Sequence, residues 1–244
     1  REGDADPELN FLGEAMLLYY NTEVFDRQPL TNIWELTESG MAGRIMMSSP
    51  LSSFSTYGFC AQVLREEEAL RRAYEEYAGE ELQVPEGRTA GEVFWEALAP
   101  NLCFVNSNDE VLEGVGNSQD IWFGIMISSK LRYQELGYHF APIRRLTPFS
   151  SVYTPNCIAL AGGAENINTA KLFIRFVLGE ADGRGEGYSA FATEGTWSFR
   201  ADMADGCSIP LREFDMIGMD KAFLYGNRDK ISAFFGRLLE ENIN

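Results

Sequence analysis

A single histidine, His139, stands among 244 residues, and the four cysteines at 60, 103, 157 and 207 lie 43, 54 and 50 residues apart. No Cys-x-x-Cys pair occurs, so a zinc site built from clustered Cys and His is excluded and no metal ligands are assigned. Cys103 and Cys157 sit in apolar surroundings, Asn-Leu-Cys-Phe-Val and Pro-Asn-Cys-Ile-Ala, which reads as buried free thiols. A disulfide between distant cysteines stays open. Basic residues are scarce: 20 Lys and Arg against 37 Asp and Glu leave a net charge of −17. Such a field repels nucleic-acid phosphates and anionic membrane surfaces, so no nucleic-acid partner is expected. The acidity otherwise serves solubility, and an anionic ligand would need local donors to overcome it.

No apolar run reaches the roughly 18 residues of a membrane span. No signal peptide is visible, and the chain begins at Arg1 without methionine, which suggests a mature or trimmed product. A secreted origin stays open. There is no Gly-x-Ser-x-Gly elbow, no P-loop and no His-Glu-x-x-His. No carboxylate pair stands out for glycosidase chemistry. The expectation is a protein without catalysis and without a cofactor.

What is present is ordinary globular material. The hydrophobic fraction is 45% and aromatics make up 13%, enough for a core and for a cleft wall. Residues 1–13 read as acidic and irregular. Apolar runs at Ala15–Tyr20, Gly43–Ser48, Leu102–Val105, Ile121–Ile127 and Val152–Leu160 predict buried strands. Tyr138–Ile143 reads as extended. Ser52 or Ser53 caps a predicted helix whose spacing continues to Tyr77. Thr89-Ala-Gly-Glu92 and Ser107-Asn-Asp-Glu110 are capping-box sequences. Further helices are expected from Ser128 or Ser129 to Leu136, from Ile167 to Val177, up to about Thr193, and from Lys221 to Leu239. Strands alternating with helices imply an α/β fold with a mostly parallel sheet.

The order of the punctuation is more specific. A strand ending in Tyr20-Asn21-Thr22 precedes Pro-Leu-Thr-Asn-Ile-Trp34-Glu-Leu36. Gly43-Arg44-Ile45 and then Pro50 to Ser52-Ser53-Phe-Ser-Thr56-Tyr57 follow. Gly163-Ala164-Glu165-Asn166 with Ala170-Lys171-Leu-Phe173-Ile174, and Arg200-Ala-Asp202, come later. This succession resembles the bacterial extracellular solute-binding proteins of ABC importers, the group that includes ferric-iron, polyamine and phosphate-ester binders. The resemblance covers about residues 14–240. Val115-Gly116 departs from it where a Gly-Glu pair is usual.

The resemblance implies a periplasmic-binding-protein-like fold: two lobes with mostly parallel sheets, joined by hinge strands, with the ligand between them. Residues 22–140 would form lobe II. Residues 1–21 and 141–244 would form a partial lobe I with the hinges, an incomplete lobe that should expose apolar surface. It further implies a small-molecule ligand, the membrane permease of an ABC transporter or a membrane sensor as partner, and a periplasmic or extracellular location, membrane-associated as a lipoprotein in some settings. A ligand-sensing domain and a ferric-ion binder are the alternatives. Ferric binders carry adjacent tyrosines after the strand matching Ile121–Ile127; this chain has Phe123-Gly-Ile-Met-Ile-Ser-Ser there.

Candidate ligand contacts follow from predicted helix starts, where backbone N–H groups and the helix dipole favour an anion. They are Ser52, Ser53, Thr56 and Tyr57 at one start, Ser107 at a second and Ser128 at a third, with Tyr153 after the second of the hinge crossings that the resemblance implies, Tyr19–Asn21 and about Ala141–Arg144. Hydroxyls at these places serve equally as caps. Donors of this kind point to a small oxyanion, such as a phosphorylated or carboxylated organic compound. Arg144-Arg145 could grip a carboxylate or phosphate, or form surface salt bridges.

Overall fold

A computed structural model of the chain describes residues 9–182 and 184–242. Residues 1–8, part of the segment read as irregular, lie outside the described residues. Residues 9–13 do not fit that reading: they begin a long strand, β1 (Leu9–Asn21). Asn10 and Glu14 interrupt its apolar pattern, which hides its first half from a periodicity argument. The remaining strands are β2 (Ile45–Ser48), β3 (Leu102–Val105), β4 (Phe123–Ile127), β5 (Phe140–Pro142), β6 (Ser151–Ile158), β7 (Trp197–Ser198) and β8 (Met216–Gly218).

The strands form one sheet in the order β3-β2-β4-β1-β6-β8, with β5 and β7 also paired to β1. The pairs β2–β3, β2–β4 and β6–β8 are parallel. β1 runs antiparallel to all four of its partners. It is the shared element: Met16–Tyr20 pair with β4, while Leu9–Leu17 pair with β6. Its side chains alternate between two cores. Met16 and Leu18 enter one, and Ala15, Leu17 and Tyr19 enter the other. A strand buried on both faces reads as the near-continuous apolar run seen in the sequence.

The helices are α1 (Phe54–Arg65), α2 (Glu67–Ala78), α3 (Ala90–Leu98), α4 (Asn108–Asn117), α5 (Ile167–Val177), α6 (Lys221–Gly226) and α7 (Arg228–Asn242). Ser53 caps α1, Thr89 and Glu92 form a reciprocal capping box on α3, and Ser107 caps α4. Two long expected helices are each broken. Glu66, at φ −81 and ψ 49, separates α1 from α2, and Asn227 separates α6 from α7. The expected helix after β4 is instead a 3-10 helix, Ser128–Leu136. The one expected to end near Thr193 is a short 3-10 helix, Glu186–Tyr188.

One face of the sheet carries α1, α2, α3 and α7. Trp34 is buried there, its indole N–H donating to Leu70 O at 3.0 Å. Trp95 of α3 meets Phe235 of α7 edge-on, with ring centroids 5.3 Å apart. α5 differs from the other long helices. Only Val177 is buried in it, and Leu172 and Phe173 are 64% and 59% exposed.

Candidate functional site

α1, β1, β6 and α6 converge on an open groove of about 370 Å³, lined among others by Glu14, Ser55, Asn156, Cys157, Lys221 and Tyr225. A second hollow shares Phe54, Leu224 and Tyr225 with it and adds Ser52, Ser53, Tyr57, Arg228 and Ser232. A third shares Glu14, Asn156 and Cys157 and adds Ser129, Arg132 and Thr193. The three hollows run together as one trough. Arg228 lines the hollow at the α1 start, Arg132 lines the hollow that shares Glu14 with the central groove, and these two outer hollows have no lining residue in common.

The trough's charge is opposite to that of the chain. Among the described residues, Arg132, Lys221 and Arg228 line it with one acid, Glu14. Glu14 accepts a hydrogen bond from Asn156 Nδ2 at 2.9 Å. Cys157 lies beside this pair, its Sγ 2.8 Å from Asn10 Oδ1 and 3.8 Å from Lys221 Nζ. Tyr225 and Phe54, 69% and 65% exposed, give the trough apolar walls. Such a lining suits a small anion with an apolar or ring-like face.

The residues singled out in the sequence divide into two groups. Ser52, Ser53 and Tyr57 line the trough. Ser53 is also the α1 cap, and the Tyr57 hydroxyl donates to Arg228 O at 2.9 Å. The other four do not line it. Thr56 is fully buried, and its hydroxyl meets Ser48 Oγ at 2.5 Å and Ser53 Oγ at 3.0 Å, so both bonding directions are spent inside the fold. Ser107 caps α4 and bonds within its own turn to Glu110. Ser128 is buried; its Oγ accepts from Ala15 N–H at 3.0 Å and donates to Gly195 O at 2.6 Å. Its neighbour Ser129 is the one that reaches the trough.

Tyr153 packs against Phe199 and over Gly13, where a Cβ would fall 1.9 Å from the Tyr153 hydroxyl. Burial, with smaller contributions from Asp205 and Tyr188, pushes its phenol up to about 12. Tyr19 is fully buried, with its hydroxyl near Ile127 O at 3.4 Å. Arg144 and Arg145 pair with Glu213 at 2.7 Å and Asp215 at 2.6 Å, the salt-bridge outcome.

Glu14, Asn156, Arg132, Lys221, Tyr225 and Arg228 were not legible as site residues. They come from segments as far as 214 residues apart in the chain, and none sits in a motif. The one available signal was Ser53 at a helix start, which locates one wall of the trough and nothing of the other.

No family model matches the sequence, and no curated protein matches it. Solved structures do. Iron-bound HitA from Pseudomonas aeruginosa superposes with a TM-score of 0.71 at 16% identity, over 97% of this chain and 70% of that one. AfuA, a periplasmic binding protein from Actinobacillus pleuropneumoniae with fructose-6-phosphate bound, gives 0.61 at 17% identity, over 98% and 70%. MotA from A. tumefaciens B6, in complex with glucopine, gives 0.62 at 15% identity, over 96% and 72%. The fold is therefore that of the periplasmic and extracellular solute-binding proteins, as the sequence pattern implied. The chain spans about 70% of their length.

Proposed function

We propose that this chain is the solute-binding component of an ABC importer, working outside the cytoplasmic membrane, and that it holds a small oxyanion in the trough for delivery to a membrane permease. The observation that carries the reading is the local reversal of charge. Among the described residues, three basic side chains and one acidic one line the trough, in a chain whose net charge is −17. Local donors dominate close to the ligand, because distant charges are screened within about 10 Å at moderate salt. The start of α1, with Ser52 and Ser53 at its edge, adds to the attraction. The relatives in fold bind iron, a sugar phosphate and glucopine according to their names, and the latter two ligand types suit this lining.

In the same proposal, residues 22–140 form the second lobe, and residues 1–21 with 141–244 form part of the first. β1 supplies one crossing, since it pairs with β4 on one side and β6 on the other. α7, although it belongs to the C-terminal segment, packs on α3 through Phe235 and Trp95. Closure of the lobes over the ligand would present a surface to the permease.

The test is a thermal-shift panel of phosphate esters, carboxylates, polyamines and metal salts, with native mass spectrometry of the purified protein for a retained ligand. A ligand at 100 times its Kd stabilises by about 2.7 kcal/mol. Stabilisation by anions and not by polyamines is expected. No shift with any anion overturns the ligand class, and turnover of a bound compound overturns the binding-only role.

A further inference from the structure

The trough contains a feature that a simple anion does not explain. The one acid among its described lining residues, Glu14, lines both the central groove and the Arg132 hollow. One carboxylate oxygen takes the hydrogen bond from Asn156, and the other has no hydrogen-bond partner among the described residues. A carboxylate only accepts, so it selects a ligand that brings a hydroxyl or ammonium donor to that point and repels one that brings another anion. The cations are placed apart from it. Arg228 lines the hollow at the α1 start, and Arg132 lines the hollow beyond Glu14. Neither arginine forms an ion pair among the described residues, whereas Arg144, Arg145 and Arg200 are all engaged with carboxylates.

The geometry points to a two-ended ligand: an elongated organic compound with an anionic group at each end and hydroxyl or amino groups between. This rests on the solute-binding reading and specifies its ligand. One end meets Arg228, the α1 serines and, toward the middle, Lys221. The central donors meet Glu14 and Asn156, and the far end meets Arg132. Six-carbon aldaric acids and hexose bisphosphates share this pattern of an oxyanion at each end with hydroxyls between.

Calorimetric titration of the whole chain tests it with four probes: galactarate, adipate, gluconate and fructose 1,6-bisphosphate. Galactarate and adipate have the same length and two carboxylates, but adipate lacks the central hydroxyls. Gluconate keeps the hydroxyls and loses one carboxylate. Galactarate or the bisphosphate should bind, with adipate and gluconate each weaker than galactarate, or than the bisphosphate if that is the binder, by about 10-fold or more, the size of one charge-assisted hydrogen bond. Arg132→Gln and Arg228→Gln should each weaken the two-ended binder by about 10-fold. Gluconate should respond to only one of them. Glu14→Ala should close the gap between galactarate and adipate. Both arginines are exposed, so these variants leave the core untouched.

Gluconate binding as tightly as any two-ended probe, or sensitivity to a single arginine only, overturns the two-ended ligand while leaving oxyanion binding in place. Equal affinity for galactarate and adipate overturns the role of Glu14. Binding of none of the four, with no response in the wider anion panel, removes the parent reading as well.

Discussion

Replacing Ser128 with alanine separates a structural serine from a ligand contact. In the sheet, Met16 of β1 pairs with Ile127, the last residue of β4. One residue further, the chain leaves the strand for a 3-10 helix, and the Ala15 N–H loses the partner that a continued strand would offer. Ser128 Oγ fills that position at 3.0 Å and passes its own proton to Gly195 O at 2.6 Å. The hydroxyl thus satisfies two backbone groups from β1 and from the loop before β7. Ser128 and Ala15 are 0% and 1% exposed, so water does not replace it.

Ser128→Ala strands both groups. An unsatisfied buried donor or acceptor costs about 1–3 kcal/mol, so the variant should lose roughly 2–5 kcal/mol. Urea unfolding followed by tryptophan fluorescence measures this, with an unchanged m-value as the sign that the unfolded state is unaffected. Ligand affinity, measured where the variant is still folded, should change by less than about 3-fold. A stability loss below about 0.5 kcal/mol with a sharp loss of affinity would refute the reasoning and restore Ser128 as a ligand contact.

Three further outcomes follow from other contacts. Gly91→Ala on α3 should destabilise by about 1–3 kcal/mol in the same urea assay, because the added Cβ would stand 2.6 Å from Leu64 Cα and 2.8 Å from its carbonyl, backbone of α1 that does not swing aside. Alkylation by iodoacetamide at pH 8 should spare Cys60 and Cys207: both are buried, and burial, the larger cause in each, pushes Cys60 well up and Cys207 up to about 12. Cys103 should react, and modification of Cys157 should slow when an anion fills the trough it lines. The exposed apolar face of α5 predicts concentration-dependent self-association in sedimentation velocity; Leu172→Lys with Phe173→Lys should reduce it and shift stability by less than about 0.5 kcal/mol.

The parts of the fold legible in the sequence are those where local chemistry and the final environment agree. β2, β3 and β4 are short apolar runs, and α3, α4 and α5 begin after residues suited to a turn or cap. The misses have physical causes. Nothing at Glu66 resembles a helix stop, yet the backbone breaks there at φ −81 and ψ 49, and beyond the break Leu70 and Ala73 of α2 reach the core. β7 and β8 have two and three residues, too few to show a period, and exist through their pairing with β1 and β6. The site is harder still. Ser53 marks a helix start and could be read; Glu14 is an acid in an apolar strand, and Asn156 a polar residue in another. Only the pairing of β1 with β6 brings the two together.

Hydrogen–deuterium exchange in the presence and absence of a saturating anion, chosen as the one giving the largest thermal shift, tests solute binding in the trough most directly. The account predicts slowed exchange in three separated segments, 52–57, 154–157 and 221–228, which line the trough from α1, β6 and the α6–α7 junction. Segment 70–84, remote from the trough lining, should not change. Protection confined to any other surface, or no protection with any anion, would contradict it.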